Sequence, residues 1–371
     1  MELKLKCKLI TPMFMAGSDR KTPELRPSEF KGMMRWWWRA IKAEGDIKKL
    51  KEEEARIFGG TGKGEGRSKV RIKIETSKTS SLGSNLKDDY SLKWYFDKNT
   101  RSLSGENAGI GYLLYSTVLP RNERYYIRDS YEFKLVITSM YEKEFKEACA
   151  SLWLAIYLGG FGTRARRGGG NIEIVGIEDN MQNINFKDNM QNINFICEVR
   201  TTSDLKKFLE ENLNKIKSIF NTNTNKTKPE YSSLSGAKIL IFEPKNNWKE
   251  ALNFLGEKYK NFRSNNKSKI FEMAAFGMPV IHNSPSKFRM VPYNNDRLSE
   301  RWASPLIFKI IKSSNNLYFP LIVKLSVGGV NRIGKEEKID KTWIKNSIDN
   351  FTEIQINDFL NILPKKDELV L

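Results

Sequence analysis

Leucine and lysine alternate at the start of the chain. Leu3, Leu5, Cys7 and Leu9 are separated by Lys4, Lys6 and Lys8, the period-two pattern of a half-buried strand. A turn-rich stretch (TPMFMAGSD, residues 11–19) and a basic linker follow. Pro27 and Ser28 then predict a helix running to about residue 44. Within it Phe30, Met34, Trp37 and Ile41 recur at i, i+4, i+7 and i+11, which is a core stripe. A charged helical segment over 47–57 follows. Val70, Ile72 and Ile74 alternate with Arg71, Lys73 and Glu75 as a second strand, and Phe133, Leu135 and Ile137 mark a third. Residues 142–158 predict a helix with a stripe of Phe145, Cys149, Leu152 and Ile156, and Ile172 and Ile174 open a fourth strand. The polar, serine-rich region at about 77–130 reads as a long insertion with limited structure.

Strand, helix, strand, strand, helix, strand is the split βαβ order of a ferredoxin-like domain, the architecture that RNA-recognition modules also use. The aromatic motif of those modules is absent, so this sheet is not expected to stack bases. A tandem duplication follows, DNMQNINFK (179–187) and DNMQNINFI (188–196), too short for a solenoid. The second half predicts a strand near 194–200, an amphipathic helix over 203–220 and a loop over 221–230. A strand at 238–242, a helix at 248–259 and a hairpin of 306–311 with 318–325 come next, Pro320 suiting an edge. From Asp340 a closing amphipathic helical region runs through Ile344, Ile348 and Leu360. The expected fold class is α+β, with two tandem ferredoxin-like domains carrying insertions. Their bounds are 1–178 and 196–371, and 179–195 forms a linker or extension.

Charge narrows the partners. The 63 Lys and Arg outnumber the 44 Asp and Glu, for a formal charge of +19, which implies a polyanion, either nucleic acid or an anionic membrane. Membrane is the weaker option, because no run reaches the roughly 18 apolar residues of a spanning helix, and MELKLKCKLI lacks the apolar block of a signal peptide. A soluble, cytoplasmic protein that meets nucleic acid is expected. Cys7, Cys149 and Cys197 are scattered, without a C-x-x-C pair, so they predict core residues rather than disulfides or a zinc site. His282 is the one histidine of the chain. No cofactor and no metal are expected.

Three stretches carry candidate chemistry. The first is GGFGTRARRGGG (159–170), with six glycines and three arginines in twelve residues. Glycine lets a ligand approach backbone N–H groups, successive N–H groups form anion-binding concavities, and guanidinium forks suit phosphate. Gly159, Gly160, Gly162, Gly168 and Gly169 with Arg164, Arg166 and Arg167 thus form a candidate phosphate-tracking loop. The bland alternative is a flexible basic turn between helix and strand. The second is a helix face bearing Lys31, Arg35, Arg39 and Lys42 flanked by Trp36 and Trp38, able to clamp phosphates and stack bases; otherwise it is a solvated basic face beside a tryptophan-rich core. The third is FGGTGKGEGRSK (58–69), which fails the P-loop pattern because Gly64 follows Lys63 where serine or threonine is needed. It keeps Lys63, Arg67 and Lys69 as a phosphate-friendly loop.

Six ordered motifs, TPMFMAGSD, LRPSEFKGMMRWWWRA, IFGGTGKGEGRSKVRI, GGFGTRARRGGGNI, AFGMPV and RWASPLIFK, together resemble the RAMP superfamily, in particular the first RAMP subunit of the Cmr (type III-B CRISPR) effector complex. The resemblance spans nearly the whole chain except the insertion and the repeat. It implies two ferredoxin-like domains and a place at one end of a ribonucleoprotein, contacting guide RNA (crRNA) towards its 3′ region or the target paired with it, in antiviral defence. Other Cmr subunits would be partners, and family members of this type are thought to bind RNA rather than cut it. The leading expectation is a non-catalytic RNA-binding subunit. The alternatives are a metal-independent endoribonuclease that processes guide precursor, using His282 or a tyrosine, and a scaffold whose basic faces meet acidic proteins.

Overall fold

The computed structural model describes the chain apart from residues 20, 77–80, 100–101, 119–123, 179–192, 222–228, 283–286, 295–296, 299–300, 327, 329 and 340–341. Most of the nine-residue duplication, residues 179–192, therefore lies outside the described residues.

β1 (Glu2–Leu9) leads to α1 (Pro27–Lys42), α2 (Ile47–Phe58) and β2 (Val70–Glu75). Pro27 occupies the first turn of α1, where its missing N–H costs nothing. Asp46 caps α2 by accepting from the N–H groups of Lys48 and Lys49. An inserted region holds β3 (Leu82–Gly83), α3 (Leu86–Asp89), β4 (Tyr95–Asp97), β5 (Ser102–Ser104), α4 (Ala108–Leu113), α5 (Tyr115–Val118) and β6 (Tyr126–Ile127). β7 (Glu132–Ser139), α6 (Glu142–Tyr157) and β8 (Ile172–Ile177) complete the first half. Its sheet runs β2-β7-β1-β8 with every neighbour antiparallel. The leucines of β1 are buried beneath α1 and α6 while its lysines point away, which is the physical content of the alternation.

The second half begins with α7 (Thr202–Phe220), opened by a reciprocal capping box between Thr201 and Asp204. It continues through β9 (Ser233–Ile241), α8 (Trp248–Asn265), α9 (Ile270–Ala274), β10 (Val280–His282), β11 (Phe288–Asn294) and β12 (Arg297–Leu298). The remaining elements are β13 (Leu306–Lys312), β14 (Tyr318–Ser326), β15 (Arg332–Ile339), β16 (Thr342–Asn350), α10 (Ile354–Asn361) and β17 (Asp367–Val370). A second four-stranded antiparallel sheet runs β13-β14-β9-β17. Counted in chain order, both sheets place their strands second, third, first, fourth. A further sheet, β10-β11-β15-β16 with β12 beside β11, is inserted in the second half.

The second sheet is buried on both faces, so its strands read as apolar runs rather than alternations. Ile307, Ile311, Leu321 and Val323 share one core with α1, α6, α7 and the first sheet. Leu306, Phe308 and Ile310 face a second core built on α8 and α10.

Several expectations are corrected. The insertion is substantially structured: Leu86, Trp94, Leu103, Ile110 and Leu113 enter the core of the second half. α4 lies so close to α8 that a Cβ on Gly256 would stand 2.1 Å from the Gly109 carbonyl oxygen; small residues that suggested a loop serve a tight helix crossing. Residues 194–200 form no strand, because their carbonyls accept from Trp153 Nε1 (2.9 Å at Asn194), the Tyr157 hydroxyl (2.6 Å at Phe195) and the Ser314 N–H (3.0 Å at Cys197). β14 lies inside its sheet rather than at an edge; Pro320 is tolerated level with the end of β9, beyond the last ladder pair of Leu321 with Ile241. The helix expected from Asp340 is β16 followed by α10. Ile344 and Ile348 fall on opposite sides of β16, because the register shifts between them, so their spacing of four marks no helical face. His282, the candidate general base of the endoribonuclease alternative, ends strand β10.

Candidate nucleic-acid interface

The glycine–arginine loop leaves α6 and enters β8, as the pattern predicts. Its backbone is tied down along most of its length. The Thr163 N–H donates to the Phe14 carbonyl (2.8 Å), Gly170 to Pro12 (2.9 Å), and both Arg167 and Gly169 to Arg164 (2.7 and 3.2 Å). Gly170 stands at φ +61, where a Cβ would lie 2.0 Å from the Phe161 carbonyl oxygen, so no other residue fits. Arg164 holds a left-handed φ of 64.

The loop also caps the outer edge of β13. The Phe308 N–H donates to the Arg166 carbonyl at 3.0 Å, and the Ile310 N–H donates to Asn171 Oδ1 at 3.2 Å. Buried Asn171 in turn donates to the Gly168 carbonyl (2.6 Å) and Thr11 Oγ1 (3.1 Å). An exposed strand edge needs cover, and the loop supplies it while joining the two halves. Gly168 belongs to that joint: a Cβ there would meet Leu252 Cδ1 at 2.4 Å.

The three arginines diverge. Arg166 lies 4.9 Å over the ring of Trp36 and donates from Nη1 to the Ser304 carbonyl. Arg164 donates from Nε to Ser116 Oγ at 2.8 Å. Arg167 instead enters the second core, 5.0 Å from the ring of Tyr259 and 5.2 Å from that of Phe308. Among the described residues none of the three pairs with a carboxylate. Burial and then Arg167 lower the Arg164 guanidinium, and the same causes bring Arg166 down to about 10. Both remain charged at neutral pH, short of counter-charge. Burial alone would raise the Tyr259 phenol, but Arg167 and Arg263 outweigh it and lower it.

Arg164, Arg166 and the near part of Arg167 line a groove of about 520 Å³ at the seam between the halves, walled by Trp36 and Arg39 of α1, by Gly159, Gly160 and Gly162, and by Ser304 and Ile307. Trp37 lies at its floor, and its indole Nε1 has no partner among the described residues. An adjoining recess of about 430 Å³ shares Trp36, Arg39 and Arg166 and adds Tyr231, Arg301 and Trp302. Arg39 and Arg35 are both held by nearly buried Glu54 of α2, Arg39 Nη1 at 2.7 Å from Oε2.

The other candidates fall elsewhere. Trp38 is 0% exposed, its Nε1–H donating to Glu147 at 2.7 Å, so it cannot stack on a base. Lys31 and Arg35 line neither recess; burial and then Arg35 lower the Lys31 ammonium. Lys63 and Arg67 are exposed and line neither recess, and Lys69 is bound to Glu144 at 2.8 Å. Gly169 hydrogen-bonds within the loop. Tyr231, Trp302 and Ser304 were not singled out individually by the sequence reading, although RWASPLIFK carried the signal for the latter two. The three cysteines are buried, and burial pushes their thiols up, Cys197 to about 12. No helix among the described residues is long and apolar enough to cross a membrane.

Comparison with known proteins gives this geometry a family. The RAMP superfamily model matches residues 6–173. The CRISPR system Cmr subunit Cmr1-2 of Pyrococcus furiosus is 33% identical over 182 residues, covering 44% of this chain and 90% of that protein. The chain belongs to the Cmr1 family of RAMP proteins. Cmr1-1 of the same organism is 29% identical over 313 residues, 82% of this chain and 81% of that one. The crystal structure of Cmr1 from Pyrococcus furiosus in its apo form shares the fold, with a TM-score of 0.64 at 23% identity over 99% of this chain and 98% of that one. A chain in the cryo-EM structure of the type III-B Cmr-beta complex bound to cognate target RNA gives a TM-score of 0.59 at 16% identity, covering 97% and 98%. These two likenesses concern the fold alone.

Proposed function

We infer that the chain is a non-catalytic, RNA-binding subunit of a Cmr-type CRISPR effector, holding single-stranded guide or target RNA along the seam between its halves. The observation that carries this is the pair Arg164 and Arg166, two guanidinium groups that line one groove and pair with no carboxylate among the described residues. Arg166 is backed by Trp36, so a phosphate can meet the guanidinium edge while a base meets an aromatic face. Arg39, Arg301 and Trp302 extend the track. Cmr subunits among the relatives, and a similar fold in a complex bound to target RNA, support the reading. The fold belongs to the same proposal: the recurring strand order marks two ferredoxin-like units, at 1–178 and 196–371.

Cutting RNA would need a general base beside the track. Tyr231, the tyrosine in the adjoining recess, donates to the Glu44 carbonyl at 3.0 Å, and burial pushes its phenol up to about 12, which does not suit proton abstraction at neutral pH.

The test is binding of labelled single-stranded RNA across a salt series. Arg164→Ala with Arg166→Ala should weaken binding and reduce the salt slope by about 1.4, two contacts at about 0.7 each. An unchanged affinity and slope would remove the groove from the RNA path.

A further inference from the structure

The inserted sheet carries its own unassigned surface. Its core side packs Met290 and Ile333 against Met278 and Trp302. Register sets what the other side bears. Ile281 pairs with Arg289, Arg289 with Glu336, Glu336 with Lys345, and Lys338 with Trp343. Tyr293 lies four residues along β11 from Arg289 and shares its side. A bulge in β16 at Asn346, where the register shifts, brings Trp343 and Lys345 onto the same side as Ile348. This side is partly open: Ile281 is 54% exposed, Lys338 and Lys345 are exposed and the Tyr293 and Trp343 rings are half-buried, while Val291 and Glu336 between them are buried.

Cations lie over both rings of this surface. Arg289 is 4.6 Å and Lys338 6.0 Å from the centre of the Trp343 ring, and Lys345 is 5.2 Å from that of Tyr293. Arg289 is committed to nearly buried Glu336 at 2.6 Å. Among the described residues, the Lys338 and Lys345 ammonium groups lie over these rings and pair with no carboxylate.

We propose that this sheet face, with Trp343 and Tyr293 as stacking platforms and Lys338 and Lys345 as phosphate contacts, binds a second segment of single-stranded RNA. In taking RNA as ligand it rests on the reading above. A base arriving on either ring displaces an exposed lysine, which swings to the adjacent phosphate, so the ring keeps a partner and the lysine gains an anion. Arg289, fixed by Glu336, stays as backing for Trp343. Duplex RNA offers no unstacked base to the rings. Tyr293 and Trp343 stand level with Arg332 and Lys338 of β15, roughly 20 Å apart along the strands, so they hold bases several nucleotides apart. Trp302 links the two sites, since it lines the seam recess and packs in the core beneath this sheet.

The experiment uses the full chain and labelled single-stranded RNA of about 20 nucleotides, longer than one stacking site requires. The expected result for Tyr293→Ala with Trp343→Ala is an affinity loss of roughly fivefold or more, from stacking alone. Tyr293→Phe with Trp343→Phe should keep most of the affinity, and binding of duplex RNA should be unchanged by the alanine pair. The same face variants are made on Arg164→Ala with Arg166→Ala, where the loss should persist. Unchanged affinity of the alanine pair, while the groove variant weakens, overturns the sheet site and leaves the groove. Unchanged affinity in both sets overturns the groove reading too. Equal losses for duplex RNA overturn base stacking. Should the alanine pair fail to fold, photocrosslinking of the unmodified protein decides. Adducts on peptides bearing residue 293 or 343 support the site, and their absence alongside groove adducts overturns it.

Discussion

Arg167 provides the sharpest check on how the loop divides its work. Replacing all three arginines together would confuse two roles, because Arg167, which borders the groove with Arg164 and Arg166, alone also reaches between the rings of Tyr259 and Phe308. Arg167→Ala empties a space in a packed core, a change that costs about 2–5 kcal/mol for a large side chain. It also loses two ring contacts, together worth up to about 2 kcal/mol when desolvated. Against this, it removes a half-buried cation that, among the described residues, has no carboxylate partner and a buried Nη1 without a hydrogen bond. Desolvation costs several kcal/mol for a fully buried ion, and a half-buried one bears only a fraction of it. The net for alanine is a loss of about 2 kcal/mol. Arg167→Met fills the space without the charge and should lie within about 1 kcal/mol of the parent. The assay is urea unfolding followed by tryptophan fluorescence, paired with RNA binding across a salt series. The methionine variant should keep its salt slope. If it loses as much stability as the alanine variant and its slope falls by about 0.7, Arg167 is a phosphate ligand and the division is wrong.

Tryptophans thirty-six and thirty-eight should separate in the same way: Trp36→Ala should lower RNA affinity with little effect on folding, and Trp38→Ala should cost about 3–5 kcal/mol of stability, as read by denaturation. Lys309 is fully buried, its Nζ has no partner among the described residues, and burial holds its ammonium well below the ordinary lysine value. The unfolded chain therefore binds the extra proton between the folded and ordinary values, so this residue makes stability rise with pH across that window, by at most about 1.4 kcal/mol per pH unit. Lys309→Met should flatten that rise and raise stability at pH 7, which a pH series of urea midpoints measures. Gly256→Leu should pry α4 from α8 and lower stability by about 1–3 kcal/mol or more; an unchanged midpoint would mean the insertion does not dock there.

Local pattern decided much of this protein. Period-two and period-3.6 spacing located β1, α1, β2, β7, α6 and β8, because each buries one face and that face is written into consecutive residues. The motifs were likewise enough to suggest the family and to place the glycine–arginine loop between α6 and β8. Tertiary structure decided the rest, wherever a residue's surroundings come from distant chain. Trp36 and Trp38 stand two apart on one helix with similar neighbours in sequence, yet α6 buries one through Glu147 while the other is left facing Arg166. Arg166 and Arg167 are adjacent, alike and both at the groove, but distant chain gives them different neighbours: Arg166 lies over Trp36, while Phe308 of β13 and Tyr259 of α8, more than eighty residues away, take Arg167. The glycines read as a cradle for phosphate, and several of their neighbours' N–H groups are in fact used to bind the loop to residues 12–16 and to itself. The loop thus joins the halves first, and that joint leaves guanidinium groups lining a groove at the seam with no carboxylate partner among the described residues.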